Sequence, residues 1–267
     1  MERLKEIERS IIKKYRKEIW SKYVKGVKEF EMIKENDKIA VCISGGKDSF
    51  LLAKCMQELL RHKKFHYELE FIVMNPGYNE ENIIKIKENL KILGIDAHIF
   101  DTPIFDVADK TDNPCYLCAR MRRGYLYSYA QKLGCNKIAL GHHFDDVIET
   151  ILMNILYTGN YASMMPKLHS DNFKGMELIR PLYFVREKDI KSWAKYNGLE
   201  FIDCACSVTK KKIGKRQEVK ELVQKLNEMY KEADKCIFAS SFNVNLNTVI
   251  GYKKGNEKHT FMDDYDM

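Results

Sequence analysis

What this sequence lacks narrows its class before any motif is considered. No apolar run approaches the roughly 18 uninterrupted residues of a membrane span. The basic N-terminus has neither the apolar stretch nor the small-residue cleavage site of a secretory signal. The expected location is therefore the cytoplasm, with no membrane partner. A reducing thiol pool there argues against a disulfide framework for the eight cysteines and leaves core packing or metal binding as their uses. Internal repeats and low-complexity linkers are also missing. The 267 residues are thus free to bury a sizeable core as one large domain, or one domain with an appendage. With 45% apolar and 31% charged residues the composition is that of a globular chain, not a disordered one. The net charge of +7 admits nucleic acid as a partner and equally describes an ordinary solvated surface.

The hydrophobic periodicity predicts an α/β fold. Leu4, Ile7, Ile11, Tyr15, Ile19, Tyr23, Val27, Phe30 and Ile33 step by three or four, giving one amphipathic helix bent near Gly26, with ten Lys and Arg on its outer face. Strands are expected at Lys38 to Ile43, Leu69 to Met74, Ala97 to Phe100, Lys137 to Leu140, Ile179 to Leu182 and Glu200 to Ile202. They alternate with helices at Phe50 to Leu60, Asn79 to Leu93, Cys118 to Leu133, Asp145 to Tyr157 and Glu187 to Tyr196. That alternation predicts a parallel sheet with helices on both faces and ligands at the carboxyl ends of its strands. A charged helix and a polar tail are expected from Lys210 onward.

VCISGGKDSF, Val41 to Phe50, joins the first strand to the first sheet-covering helix through a glycine turn. It fails the phosphate-loop pattern GxxxxGK[ST] twice: aligned on Gly46 and Lys47, the first glycine is Val41, and Asp48 replaces the metal-binding Ser or Thr. Ser44, Gly45, Gly46, Lys47, Asp48 and Ser49 still form a strand-to-helix turn whose backbone N–H groups can cradle a nucleotide phosphate. Lys47 is placed to neutralise it, and Asp48 to hold Mg2+ or cap the helix. LGHHFDDVIET, Leu140 to Thr150, sets Asp145 and Asp146 at a helix start, with Glu149 one turn later. His142 and His143 are either substrate contacts or packed structural histidines. NPCYLCARMRRG, Asn113 to Gly124, pairs Cys115 and Cys118 ahead of the basic Arg120, Arg122 and Arg123, and IDCACSVT supplies Cys204 and Cys206. Four of these thiolates make a zinc site and three a four-iron cluster with one open iron; spacing alone leaves both open.

SGGKDS after an apolar strand resembles the signature of the PP-loop ATP pyrophosphatases, and GHHxDDxxET the stretch found in those acting on tRNA. The order CxxC with a basic run, GHHxDD, RPLxxVRExDI (Arg180 to Ile190) and a late Ile-x-Cys resembles the tRNA 2-thiocytidine synthetase family over roughly residues 33 to 208. The resemblance implies a PP-loop domain over 37–208 between an N-terminal helix (1–36) and a C-terminal helix and tail (209–267). It further implies ATP and Mg2+ at Ser44 to Ser49, Asn75 and Gly141, with Lys47, Asp48, Asp145 and Asp146 catalytic. A [4Fe-4S] cluster would sit on Cys115, Cys118 and Cys204, with tRNA on Arg120, Arg122 and Arg123. ATP would activate the C2 oxygen of cytidine 32 in tRNA ahead of sulfur insertion. The implied partners are tRNA, a sulfur donor (a cysteine desulfurase or sulfide) and a second copy of the chain. Cys204 is preferred as third ligand because it follows the last expected strand in the Ile-x-Cys frame; Cys206, two residues on, competes. The chain departs from the family in Asp203 for a proline, a CxC spacing, and a shortened loop, Met74 to Tyr78. A lysidine synthetase-like ligase has no need of the cysteines. A zinc-stabilised nucleotide- or tRNA-binding module without turnover is the reading from another class.

Overall fold

The apolar run KIAVCI forms the central strand β1 (Lys38–Ile43), buried along almost its whole length. The computed structural model describes residues 2–63, 66–108, 114–202 and 214–265. Ahead of β1 lie α1 (Glu2–Ile12) and α2 (Ser21–Glu29), joined through a π-helical turn at Arg16–Trp20. After it come α3 (Lys47–Arg61), β2 (Glu68–Asn75), α4 (Glu80–Ile92), β3 (His98–Asp101), α5 (Ile104–Ala108), α6 (Pro114–Lys132) and β4 (Lys137–Ala139). α7 (Phe144–Thr158), β5 (Lys167–His169), β6 (Glu177–Ile179) and α8 (Glu187–Tyr196) follow. The strand order is β3-β2-β1-β4-β6-β5, parallel except for the β5 edge. Chain order reverses direction between β1 and β4, so the loops after these two strands flank the crevice where such sheets bind ligands.

The chain divides into two compact units, residues 1–147 with 164–215, and residues 148–163 with 216–267. In the first, α6 lays Tyr127 and Ala130 on Ala40, Cys42, Ile72, Ile138 and Leu178. The N-terminal segment belongs to this unit. Tyr15 Oη donates to the Ser192 carbonyl at 2.9 Å, and Trp193 Nε1 donates to Ser10 Oγ at 3.1 Å. Lys54 is fully buried, yet its ammonium reaches Glu8 at 2.7 Å and the Leu93 carbonyl at 2.8 Å, while Arg61 closes on the same carboxylate.

The expected single N-terminal helix is interrupted by the π turn, not bent at Gly26. Ile7, Ile11, Tyr15, Ile19, Tyr23 and Val27 recur every four residues, and each such step overshoots an α-helical turn by about 40°. The wider turn, with Tyr15 N–H on Ser10 O and Trp20 N–H on Tyr15 O, absorbs that drift, and all six remain buried. β6 ends at Ile179 instead of extending to Leu182, because Pro181 cannot donate to a ladder. Residues 200–202 are not a strand: Phe201 stacks on Phe50, and Ile202 covers Gly45. Their apolar character serves that packing, and the premise that placed Cys204 after a strand falls with it. α6 starts at Pro114, earlier than expected, since proline suits the first helical position.

The second unit contains α9 (Lys215–Met229) from Arg216 onward, in the place of the expected charged helix, and then α10 (Ala233–Ser240) and a hairpin of β7 (Gly251–Lys254) and β8 (Glu257–Thr260), where a polar tail was expected. Lys254 faces Glu257 across the two-residue turn Gly255-Asn256, a hairpin signal that the polar composition obscured.

Glu8 supports a stability prediction. Its burial works against the charged form, but Arg61 and Lys54 outweigh this and hold its pKa below the ordinary 4.5. The stabilisation is therefore present above that value and lost as pH falls through the lower folded value. Glu8→Ala strands Lys54 without its counter-ion and should cost about 3 kcal/mol in urea unfolding at pH 7. The difference from wild type should shrink in acid.

Candidate active site

Between β1 and α3 the chain turns through Ser44, Gly45 and Gly46. Gly45 takes φ +90°, and a Cβ there would lie 2.5 Å from Ile202 Cδ1, so both backbone and packing demand glycine. Gly46 is different: its φ of −82° suits any residue, and an added Cβ would find its nearest atoms 3.7 Å away. Ser49 holds the turn from inside, accepting from Ser44 N–H at 3.1 Å and donating to the Gly46 carbonyl at 2.8 Å. The N-cap of α3 is Gly46, which has no side chain to cap it, so among the described residues the donors of its first turn remain for a ligand. A cleft of about 620 Å³ opens beside this turn, lined by Gly46, Lys47, Asp48, Lys191, Lys195 and Ile202, among others.

Lys47 Nζ lies 3.1 Å from both Asp48 Oδ2 and Glu187 Oε1. Burial disfavours its charge, but the two carboxylates prevail and raise its pKa above the ordinary lysine value, so it stays cationic at neutral pH. The Gly141 backbone presses on the same turn: a Cβ at Gly141 would stand 3.0 Å from Asp48 C and Ser49 N. Beyond it, His143 and Asp146 cap α7 reciprocally. Asp146 Oδ2 accepts from His143 N–H at 2.9 Å, and His143 Nδ1 accepts from Asp146 N–H at 3.4 Å. Asp145 Oδ2 accepts the Glu187 N–H at 2.8 Å and thereby fixes the start of α8. The two aspartates thus have architectural tasks within the site.

Among the described residues no three His, Cys, Asp or Glu side chains converge into a complete metal site. Mg2+ needs less, since it is commonly held by one or two carboxylates with substrate phosphates and water. Asp48 Oδ1 fits that need: it is buried and meets no hydrogen-bond donor among the described residues, and His143 Nε2 is 3.8 Å away, too far to supply one.

On the other side of the crevice, Cys115 and Cys118 sit three residues apart in the first turns of α6. Cys118 is a half-buried free thiol hydrogen-bonded to Arg122, which also bonds Tyr78 and lies over the Phe105 ring. Tyr78 Oη in turn donates to the Ser44 carbonyl at 3.2 Å. Cys118, Arg122, Tyr78 and the nucleotide-type loop are therefore joined by consecutive hydrogen bonds. Cys118, near the helix start with a guanidinium on its sulfur, suits one thiolate ligand of an anionic cluster; the side chain of Cys115 lies outside the described residues. Cys204 and Cys206 lie outside the described residues. Cys42, Cys55 and Cys135 are buried; burial pushes the Cys135 thiol up to about 11 and the other two higher still, which disfavours the thiolate.

Most expected residues meet at the crevice, but not all in the expected roles. Asn75 organises its own loop: its Oδ1 accepts from the Gly77 and Tyr78 N–H groups, and its Nδ2 donates to Asp101. Arg120 and Arg123 are exposed, whereas Arg122 turns inward. Glu187 and Tyr78 were not singled out in advance. Glu187 lies in the VRE stretch and Tyr78 in the shortened loop, but neither segment says which partner it meets.

The PP-loop domain family model matches residues 15–226. A tRNA-cytidine(32) 2-sulfurtransferase of Syntrophotalea carbinolica is 39% identical over 208 residues, covering 76% of this chain and 80% of the relative. One of Citrifermentans bemidjiense is 36% identical over 225 residues, covering 82% and 88%. Among solved structures, the U34-tRNA thiolase NcsA from Methanococcus maripaludis with its [4Fe-4S] cluster aligns with a TM-score of 0.66 at 23% identity, over 88% of this chain and 80% of that one. That last likeness is one of fold.

The two glycines beside α3 should separate experimentally. Gly141→Ala drives a methyl into backbone that cannot yield and should cost about 1–3 kcal/mol in thermal or urea unfolding. Gly46→Ala has room, so its melting temperature should match wild type, while ATP affinity measured by calorimetry falls. Equal melting losses in both would mean that Gly46 serves packing alone.

Proposed function

The chain belongs to the PP-loop family and groups with the tRNA-cytidine(32) 2-sulfurtransferases, and on that premise we propose that it is an ATP-dependent tRNA thiolase. Its substrate oxygen is the C2 oxygen of cytidine 32. That oxygen attacks the α-phosphorus of ATP and expels pyrophosphate; sulfur then bonds to C2, and the oxygen departs with AMP. One observation carries the nucleotide half of this reading: the α3 N-terminus has a glycine N-cap, with no side chain to cap it, and is flanked by a cationic Lys47.

The backbone from Gly45 to Ser49 orients the phosphates, and Lys47 neutralises charge on the departing pyrophosphate. Asp48 offers its spare oxygen to Mg2+, while Asp145 and Asp146 hold the ends of α7 and α8 against the loop. Gly141 brings the two loops together. Cys115, Cys118 and Cys204 would hold a [4Fe-4S] cluster, which would supply an iron able to bind sulfide. Arg120 and Arg123 face tRNA, and Arg122 sets Cys118. The sulfur comes from a cysteine desulfurase or free sulfide, and the working form is a homodimer. No described helix is long and apolar enough to cross a membrane.

Lys47→Ala and Asp48→Ala should keep the melting temperature within a few degrees of wild type and reduce tRNA-stimulated pyrophosphate release at least a hundredfold, the usual scale for removing one charge-stabilising group. Unchanged release in both would refute the assignment. Single Cys→Ala variants purified without oxygen should lose or degrade the cluster, read by iron content and absorbance near ~400 nm, at 115, 118 and 204. It should be retained at 42, 55, 135, 206 and 236. A Cys206 variant that loses the cluster while the Cys204 variant keeps it would reverse the ligand choice, and zinc in every variant would remove the sulfur-transfer mechanism.

A further inference from the structure

Arg180 opens the RPL stretch, and the reactions above give it no task. It directly follows β6, at the carboxyl edge of the strand paired with β4. Leu178, two residues earlier, packs on the α6 side of the sheet with Tyr127, and Arg180 interacts with the same Tyr127 and with Asp146 at the start of α7, which puts it on that side of the crevice. Its Nη1 donates to the Met165 carbonyl. Its Nε–H is buried and meets no acceptor among the described residues. The charged and titratable groups around it are Tyr127, Tyr183, Asp146 and a second cation, Arg123. Asp146 already accepts the His143 N–H, and the Tyr127 hydroxyl is bonded to Ser170.

A guanidinium with an enclosed donor that meets no acceptor among the described residues, and with a second cation, Arg123, weighing against its charge, is poorly satisfied without an anion and well satisfied with one. Burial draws the Arg180 pKa down to about 10, and Arg123 adds to the effect despite the opposing tyrosines and Asp146. The cation therefore lacks full compensation within the fold. A phosphate oxygen would satisfy the Nε–H and relieve the repulsion together. The site lies on the α6 side of the crevice, the side that also carries Cys118 and the exposed Arg123, and Lys47 and the α3 N-terminus already serve the nucleotide phosphates.

We propose that Arg180, together with Arg123, binds a backbone phosphate of the substrate tRNA beside the nucleotide being modified. This rests on the thiolase reading. The α-phosphate of ATP offers the same chemistry, so the test must distinguish the two sources. Arg180→Gln removes the charge, whereas Arg180→Lys keeps charge and length and loses the planar donor. For each, tRNA affinity is measured by filter binding across a salt series, ATP affinity by calorimetry, and folding by thermal melting. Both variants should bind tRNA more weakly, Arg180→Gln by about tenfold and with the salt slope reduced by about one phosphate contact, at unchanged ATP affinity. The opposite split, with ATP weakened and tRNA unaffected, would overturn the tRNA assignment and give the site to the nucleotide. Unchanged affinity for both ligands in a variant that melts like wild type would remove the site altogether. Arg180→Lys keeps the question open to measurement should Arg180→Gln fail to fold. Neither affinity depends on sulfur transfer. A wild-type protein that binds tRNA without thiolating it would therefore defeat the proposed function and leave this test readable.

Discussion

The close approach of the Gly141 backbone to the first turn of α3 is the constraint around which the crevice is built. At 3.0 Å from Asp48 and Ser49 to a notional Cβ, a side chain at position 141 would force the backbone of that turn to give way. Strand pairing makes this approach possible, because β1 and β4 are direct parallel neighbours, with the last residue of β4, Ala139, opposite Val41, two residues before the end of β1. With the two loops in contact, Asp48, His143, Asp145 and Asp146 fall into one group, and Lys47 reaches Glu187 at the start of α8. Were the loops further apart, each of these residues would be a solvated end-of-helix charge.

The site's carboxylates divide their work in a way that residue type does not reveal. Asp146 and Asp145 spend oxygens on backbone N–H groups at the starts of α7 and α8. Asp48 has one oxygen on Lys47 and one that meets no donor among the described residues. Capping and ligand binding are therefore not rival explanations of the acidic pair: helices fixed by two aspartates are what hold the third in position. The thiol side shows the same economy, since the Cys118–Arg122–Tyr78 line ends on the carbonyl of Ser44, within the turn that leads into α3.

The sequence was legible wherever one physical signal dominated. β1 and α8 have the predicted bounds because a continuous apolar run and a clean 3.6-residue period each admit a single reading. Gly45, Lys47 and Asp48 were identifiable because a strand, a glycine turn and a helix in that order make an anion cradle. Other features depended on tertiary partners. Phe201 and Ile202 are apolar for the sake of Phe50 and Gly45, which local periodicity cannot distinguish from membership of a strand. Asn75 lies at a strand end where ligands gather, yet its amide is spent on its own loop. The inward turn of Arg122 depended on Phe105 and Tyr78, residues distant in the chain.

The pairing of Lys47 with two carboxylates has a consequence for a nucleotide that enters the site. Before any ligand arrives, the lysine's charge is already matched by Asp48 and Glu187. A triphosphate entering this space meets Lys47, Lys191 and Lys195, two of which are already paired with Asp48 or Glu187. One that carries a divalent cation brings less net charge, together with an ion that the spare oxygen of Asp48 can accept. If ATP binds here as proposed, a divalent cation on the phosphates would take up the Asp48 oxygen and free Lys47 for the anion, exchanging one counter-ion for another.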